Sequence, residues 1–151
     1  MKNVPLLLPD CTYIEVLAAD VSDALLLPYY ACHISAGFPS PAEDYVELRI
    51  NISEFVTDNP TSTFWVRVHG DSMQDAHIVD GSILAVDKSL KAQSGDIIVA
   101  VVNNEFTVKR LEVKGKRVRL VPENKKYQAL EITEEMDFRV WGKVVTVLTK
   151  P

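Results

Sequence analysis

Six β-like segments crowd the chain after Pro60 and set the strongest limit on its fold. They are FWVRV (64–68), ILAVD (83–87), IIVAVV (97–102), EFTVKRLEV (105–113), RVRLVP (117–122) and RVWGKVVTVL (139–148). Each is rich in β-branched and aromatic side chains, which suit a pleated, half-buried surface. Turn signals separate them. Asp80-Gly81 and Asn103-Asn104 suit tight turns with φ > 0, and Lys114-Gly115-Lys116 reads as a hairpin tip. So many strands with short connections predict a mainly β fold, a curled and largely antiparallel sheet.

The chain before Pro60 reads differently. Residues 1–36 carry Lys2 against Asp10, Glu15, Asp20 and Asp23, with prolines at 5, 9 and 28. That pattern suits an arm of short extended pieces and turns. A helix-turn-helix DNA reader needs more length and more cations for phosphates than this arm offers. Two short helices are expected next. Ser40, Pro41 and Glu43 fit the N-cap, first helical position and N3 of one, and Tyr45, Leu48 and Ile52 follow at helical spacing. Asn51 is a candidate cap for a second, ending before Pro60. Both are too short to stand without tertiary support.

With 151 residues the chain can bury one ordinary core, and 47% hydrophobic with 25% charged residues is the mix of a soluble globular protein. The formal net charge of -5 argues against uniform coating of nucleic acid and leaves room for a local basic face. Cys11 and Cys32 are too few for a disulfide framework, which makes a reducing cytosol the expected compartment. The apolar run ALLLPYYAC (24–32) is short and broken by Pro28, whereas a membrane-crossing helix takes about 20 apolar residues. Lys2 alone before Pro5 makes a poor signal-peptide start. A cytoplasmic, soluble protein is expected.

GDSM (70–73) is the first candidate for chemistry. A serine on a sharp turn beyond a strand end can be presented beside backbone N–H groups that face an oxyanion. Gly-Asp-Ser is also a common loop, so the serine needs a base to mean more. His33, His69 and His77 are available, but no spacing fixes a triad. Cys32-His33 lacks a second pair at zinc-ligand spacing. Lysine is the other possible base. Lys109 and Arg110 are consecutive in a predicted strand and so point to opposite faces, Lys109 with Thr107 and Leu111, Arg110 with Phe106 and Val108. Periodicity does not decide which faces inward. Arginine does not give up its proton, whereas a desolvated lysine can, and then accepts one from serine.

GDSM (70–73), IVDGSILAVD (78–87), GDIIVA (95–100) and EFTVKRL (105–111) occur in order, at spacings that resemble the self-cleaving serine peptidases of the LexA/UmuD type. GFPSPAEDYVE (37–47) is similar to the UmuD branch and not to the LexA-type repressors. The resemblance spans roughly residues 34–148 and implies a LexA/UmuD-like peptidase fold. It implies Ser72 as nucleophile, Lys109 as general base, and the backbone N–H groups of Asp71 and Ser72 as the oxyanion hole. The scissile bond is then Ala36–Gly37, so that residues 1–36 are a removable arm and 37–151 the peptidase and dimerisation domain. No metal or cofactor is implied.

The resemblance further implies a homodimer whose slow self-cleavage is stimulated by a RecA filament on single-stranded DNA after DNA damage. The trimmed dimer then joins a UmuC-type subunit in an error-prone translesion polymerase, with no membrane and no sequence-specific DNA binding. Two departures stand out. The UmuD branch cuts a Cys-Gly bond, whereas Ala36-Gly37 resembles the repressor version, and the arm is longer than the branch's usual one. Small side chains at both positions let the peptide enter a narrow cleft, and Pro39 and Pro41 favour extension just downstream. The 35 intervening residues reach at most roughly 115–126 Å, so cleavage within one chain or across a dimer both stay open.

Three other readings compete. A binding module of the same fold would dock without cutting. A LexA-type regulator would need a DNA reader, and a signal peptidase with the same dyad would need a membrane anchor. A basic cluster of Lys109, Arg110, Lys114, Lys116, Arg117, Arg119, Lys125 and Lys126 is a candidate contact for DNA or a filament, or else a solvated hairpin.

Overall fold

The computed structural model describes residues 14–17 (as backbone), 26–30, 36–37 and 47–151. In chain order the strands are β1 (Ile14–Leu17), β2 (Leu26–Tyr30), β3 (Glu47–Asn51), β4 (Thr63–Val68), β5 (Ile83–Asp87), β6 (Ile97–Val102), β7 (Glu105–Lys114), β8 (Arg117–Val121), β9 (Leu130–Ile132) and β10 (Phe138–Leu148). One short helix, α1 (Ile52–Val56), follows β3. Eight strands make a sheet in the order β1-β4-β5-β10-β6-β7-β8-β9, every pair antiparallel, and β2 and β3 form a separate ribbon.

The six expected strands are all present. Their turns use the residues that positive φ requires: Asn103 and Asn104 sit at φ 48° and 66° between β6 and β7, and Gly115 at φ 60° between β7 and β8. Long β10 joins the two halves of the sheet, pairing with β6 through Phe138–Lys143 and with β5 through Lys143–Leu148. Its register shifts between Val140 and Gly142 and again between Val144 and Thr146, which bends it enough to serve both neighbours. A side chain at Gly142 would put its Cβ 2.6 Å from Val86 Cγ1, so the close approach of β5 admits only glycine there.

Alternation within the strands divides the core. Val66, Val68, Leu84, Val86, Val99 and Val108 pack into one cluster, closed by Met73 and Ile78 from the β4–β5 connection. Ile98, Ala100, Leu111 and Leu120 form the other. Val99 lies opposite Val108, while Ile98 lies opposite Lys109 and Ala100 opposite Thr107. Lys109 and Thr107 therefore share the face of the second cluster. Each such Val, Leu or Ile contributes roughly 1.5–3 kcal/mol through burial.

The helix expected to run on from Ser40 is corrected by β3. Glu47-Leu48-Arg49-Ile50-Asn51 alternates polar and apolar, and pairing with β2 (Leu27 opposite Ile50, Tyr29 opposite Leu48) overrides the helical spacing of Leu48 and Ile52. Ser40, Pro41, Glu43 and Tyr45 lie outside the described residues. The second short helix is α1, where Asn51 Oδ1 accepts the Ser53 N–H at 3.0 Å. Two segments of the first 36 residues are strands: β1 lines up along β4 with Ile14 opposite Val68, and β2 along β3.

Candidate active site

The GDSM turn is built from both ends. Val68 N–H donates to the Ser82 carbonyl at 2.9 Å and Gly81 N–H to the Val68 carbonyl at 2.8 Å, which closes the segment between β4 and β5. Gly70, at φ 102°, turns the chain and donates its N–H to Asp80 Oδ1 at 2.8 Å. Met73 is 2% exposed and plugs the first core cluster. Ser72 is thus held between a glycine turn and a buried anchor, half-exposed at the mouth of a groove.

Lys109 reaches the serine from β7. Its Nζ lies 3.1 Å from Ser72 Oγ, 3.0 Å from Thr107 Oγ1 and 2.9 Å from the Val108 carbonyl. Burial pushes the ammonium down from 10.5 to about 8. A neutral amine has two N–H donors and one lone pair. With the N–H groups given to Val108 and Thr107, the lone pair is left for the Ser72 hydroxyl proton. The residues expected as nucleophile and base thus lie within hydrogen-bond reach.

Arg110, the neighbouring cation, goes elsewhere. It pairs with Glu123 and donates to the Gly95 carbonyl at 2.6 Å. The alternation of β7 therefore settles what periodicity left open, with lysine toward the serine and arginine away from it. His69 sits 3.5 Å from Asp80, not at Ser72. His33, Cys11 and Cys32 lie outside the described residues.

A groove of about 490 Å³ runs past Ser72 and Lys109. Val102, Phe106, Leu130 and Met136 are among its apolar lining residues, and Asn103, Glu105, Thr107 and Tyr127 among its polar ones. Ala36 and Gly37 form an exposed bend and are not among the described residues that line it. The side of the groove near the serine comes from the loop after β8. Tyr127 OH donates to Asp71 Oδ1, and Asn124 Nδ2 donates to the Asp71 carbonyl at 2.8 Å. The Tyr127 hydrogen bond, helped by Lys126, holds the Asp71 carboxyl below its usual range. Sequence reasoning passed over Thr107 as a ligand of the lysine, and over Asn124 and Tyr127 altogether. Thr107 was findable, two residues from Lys109 on the same strand face. The loop carries no periodic signal.

Much of the basic cluster is paired with acids. Arg117 meets Glu131 at 2.8 Å, Arg119 meets Glu112 at 3.0 Å, and Lys114 lies 3.6 Å from Glu112. This surface is of mixed charge.

Residues 28–145 match the Peptidase S24-like family. The chain belongs to that family. Protein MucA of Salmonella typhimurium is 44% identical over 119 residues, covering 78% of this chain and 81% of the relative. Protein SamA of Salmonella typhimurium strain LT2 is 39% identical over 123 residues, covering 82% and 85%. The LexA repressor of Idiomarina loihiensis is 38% identical over 130 residues, 85% of this chain and 62% of the repressor. The protein is a UmuD-like S24 serine peptidase of SOS mutagenesis, with a role in translesion polymerase machinery. Among the described residues no helix is long and apolar enough to cross a membrane.

Proposed function

We propose that this S24 peptidase cuts its own Ala36–Gly37 bond, with Ser72 as nucleophile and Lys109 as general base. The observation that carries the reading is the 3.1 Å approach of Lys109 Nζ to Ser72 Oγ, in surroundings that push the lysine down to about 8. Neutral Lys109 takes the hydroxyl proton as Ser72 Oγ adds to the Ala36 carbonyl carbon. The oxyanion is held by the backbone N–H groups of Asp71 and Ser72. The intermediate collapses, the C–N bond breaks, and the Lys109 ammonium returns the proton to the departing Gly37 nitrogen. Water, deprotonated by the same lysine, then hydrolyses the Ala36 acyl ester and frees Ser72.

The placement of the bond supports a cleavage that is slow and regulated. Ala36 and Gly37 are exposed and outside the groove, so the segment must move before it reacts. A RecA filament on single-stranded DNA stabilises the delivered arrangement. The cut releases residues 1–36 and leaves 37–151 as the core of a homodimer. That dimer joins a UmuC-type polymerase subunit in the cytoplasm. Excision takes β1 from β4 and β2 from β3, so it uncovers two strand edges as well as shortening the chain.

Intact-mass measurement of the purified chain at alkaline pH, with and without the filament, tests this. Two fragments with a new N-terminus at Gly37 are expected, faster with the filament. A stable full-length chain in both arms overturns the peptidase reading. A cut at another bond overturns the assignment of Ala36–Gly37.

A further inference from the structure

The peptide unit that joins Asp71 to Ser72 has two ends. One is the Asp71 carbonyl and the other the Ser72 N–H. The unit is planar and trans, so these two groups point in opposite directions. Whatever fixes the carbonyl fixes where the N–H aims. Asn124 Nδ2 donates to that carbonyl at 2.8 Å, and Gln74 N–H donates to it at 3.2 Å. The Gln74 bond is local and belongs to the turn itself. The Asn124 bond comes from 53 residues away and ties the turn to another part of the fold.

Asn124 is placed to do this firmly. It is 5% exposed, and its Oδ1 accepts the Lys126 N–H at 3.0 Å. With a carbonyl on one side and an N–H on the other, the amide has one orientation, because reversing it would oppose two acceptors and two donors. Its loop is itself anchored. The Glu123 carbonyl accepts the Asp75 N–H at 2.8 Å, the Glu123 carboxylate pairs with Arg110, and Tyr127 OH holds the Asp71 carboxylate. Loop 123–127 therefore grips the serine turn on both sides of Ser72, at Asp71 and at Asp75.

We infer that Asn124 is a positioning residue for self-cleavage: by holding the Asp71 carbonyl it aims the Ser72 N–H at the developing oxyanion. The inference rests on the Ser72/Lys109 reading and adds a residue that touches neither the nucleophile's oxygen nor the base. Losing one oxyanion donor outright costs about 10²–10³ in rate. Releasing the peptide plane leaves the donor present and badly aimed, so a loss of about 10–100-fold is expected.

The test uses the full-length chain with Asn124→Leu, which removes the donor at similar volume, and Asn124→Asp, which removes the donor yet keeps the acceptor for Lys126. Self-cleavage is followed against pH by intact mass. The expected result is a plateau lowered about 10–100-fold in both variants. The midpoint stays at the parent's value in the uncharged Asn124→Leu. A second readout separates aiming from general damage. In a Ser72→Cys background, alkylation of the thiol by iodoacetamide displaces iodide and forms no oxyanion. It needs the nucleophile and its lysine, but not the N–H. Alkylation at the parent's rate beside slowed cleavage supports the aiming role. Cleavage within twofold of the parent in both variants, or alkylation that falls in step with cleavage, overturns it. A parent chain that is not cut, or one still cut after Ser72→Ala, sinks the Ser72 reading and this inference with it. A parent that is cut, with Asn124 variants cut equally fast, sinks this inference alone.

Discussion

The groove and the Ala36–Gly37 bend are the two halves of one proposed reaction, and the fold treats them in opposite ways. Ser72 is pinned between Gly70 and buried Met73, Lys109 has three partners within 3.1 Å, and loop 123–127 braces the turn from outside. The bend is exposed and lines no part of the groove among the described residues. Its flanking strand β2 pairs with β3 in the two-stranded ribbon, with Leu26, Leu27 and Tyr29 exposed. A preformed catalyst with its substrate held elsewhere keeps the chain intact until something supplies the missing arrangement. In the proposed reaction, the step open to regulation is therefore delivery of the bond and not assembly of the dyad.

The largest effect comes from breaking the catalytic half. Ser72→Ala and Lys109→Ala are each expected to lower self-cleavage by at least about 10³-fold, since members of such a unit are not additive. Neither side chain belongs to a core cluster, so Ser72→Ala should leave the melting temperature nearly unchanged and Lys109→Ala should move it by only a few degrees. Residual cutting at Gly37 in Ser72→Ala, followed by mass over days at alkaline pH, would remove the serine from its role.

Breaking the substrate half should cost less and leave the catalyst whole. Gly37→Val adds a β-branched side chain at the bond that has to enter the groove. One extra methylene in a close pocket is worth about 10–200-fold, and valine adds three carbons. Cleavage should fall to the upper end of that range, while iodoacetamide reacts with the thiol of Ser72→Cys at the same rate whether or not Gly37→Val is present. Slower alkylation in the double variant would mean that the two halves are coupled before delivery, contrary to their separation in the structure.

The same contrast governs what could be read from the sequence. The six strands from Phe64 onward were legible because alternation, β-branched runs and turn residues such as Asn103-Asn104 agreed with one another. The chain before Pro60 misled because two periods coexist there. Leu48 and Ile52 fit a helix, Leu48 and Ile50 fit a strand, and only the partner β2 decides. Short, largely exposed β9 offers only the alternation Leu130-Glu131-Ile132, too brief to read as a strand without its pairing with β8. At the site, Ser72 and Lys109 stood out as residue types able to do chemistry. Side-chain chemistry and the family resemblance already pointed to Lys109 over Arg110, but which of the two faces the serine required the sheet, since alternation alone did not decide it. Asn124 and Tyr127 act through an irregular loop 53 and 56 residues from Asp71, a distance over which sequence patterns say nothing about contact.

A smaller effect sharpens the electrostatics of the groove. The rate should rise about tenfold per pH unit below the Lys109 midpoint, at about 8, and level off above it, because only the neutral amine accepts the serine proton. Thr107→Val removes an oxygen 3.0 Å from Nζ and makes the surroundings less polar. Both changes disfavour the ammonium, so the midpoint should move below the parent's. The plateau should drop a few-fold, on the order of what one lost orienting hydrogen bond of about 0.5–1.5 kcal/mol gives. A midpoint that moves upward, read from the pH profile of cleavage, would show that the hydroxyl does not favour the charged lysine.

The smallest effect lies in stability and needs no cleavage at all. The Lys109 midpoint is depressed in the folded chain, from 10.5 to about 8, by burial. Between those two values the unfolded chain binds more protons at this site than the folded one does. Stability from this group therefore rises with pH from about 8 to 10.5, is fully present above 10.5, and is lost as pH falls through about 8. Lys109→Met has no such dependence. Measured in a Ser72→Ala background so that neither chain is cut, the difference in melting temperature should move in favour of Lys109 as pH climbs through that window. Because the side chain is only partly buried, about 1 kcal/mol, or roughly 2–4 °C for a chain of this size, is the expected scale. A difference that stays flat from pH 7 to 10.5 would mean that Lys109 titrates as in water. The dyad would then lack the low-pH base on which the groove's readiness depends, and delivery of the Ala36–Gly37 bond would no longer suffice to explain control of the cut.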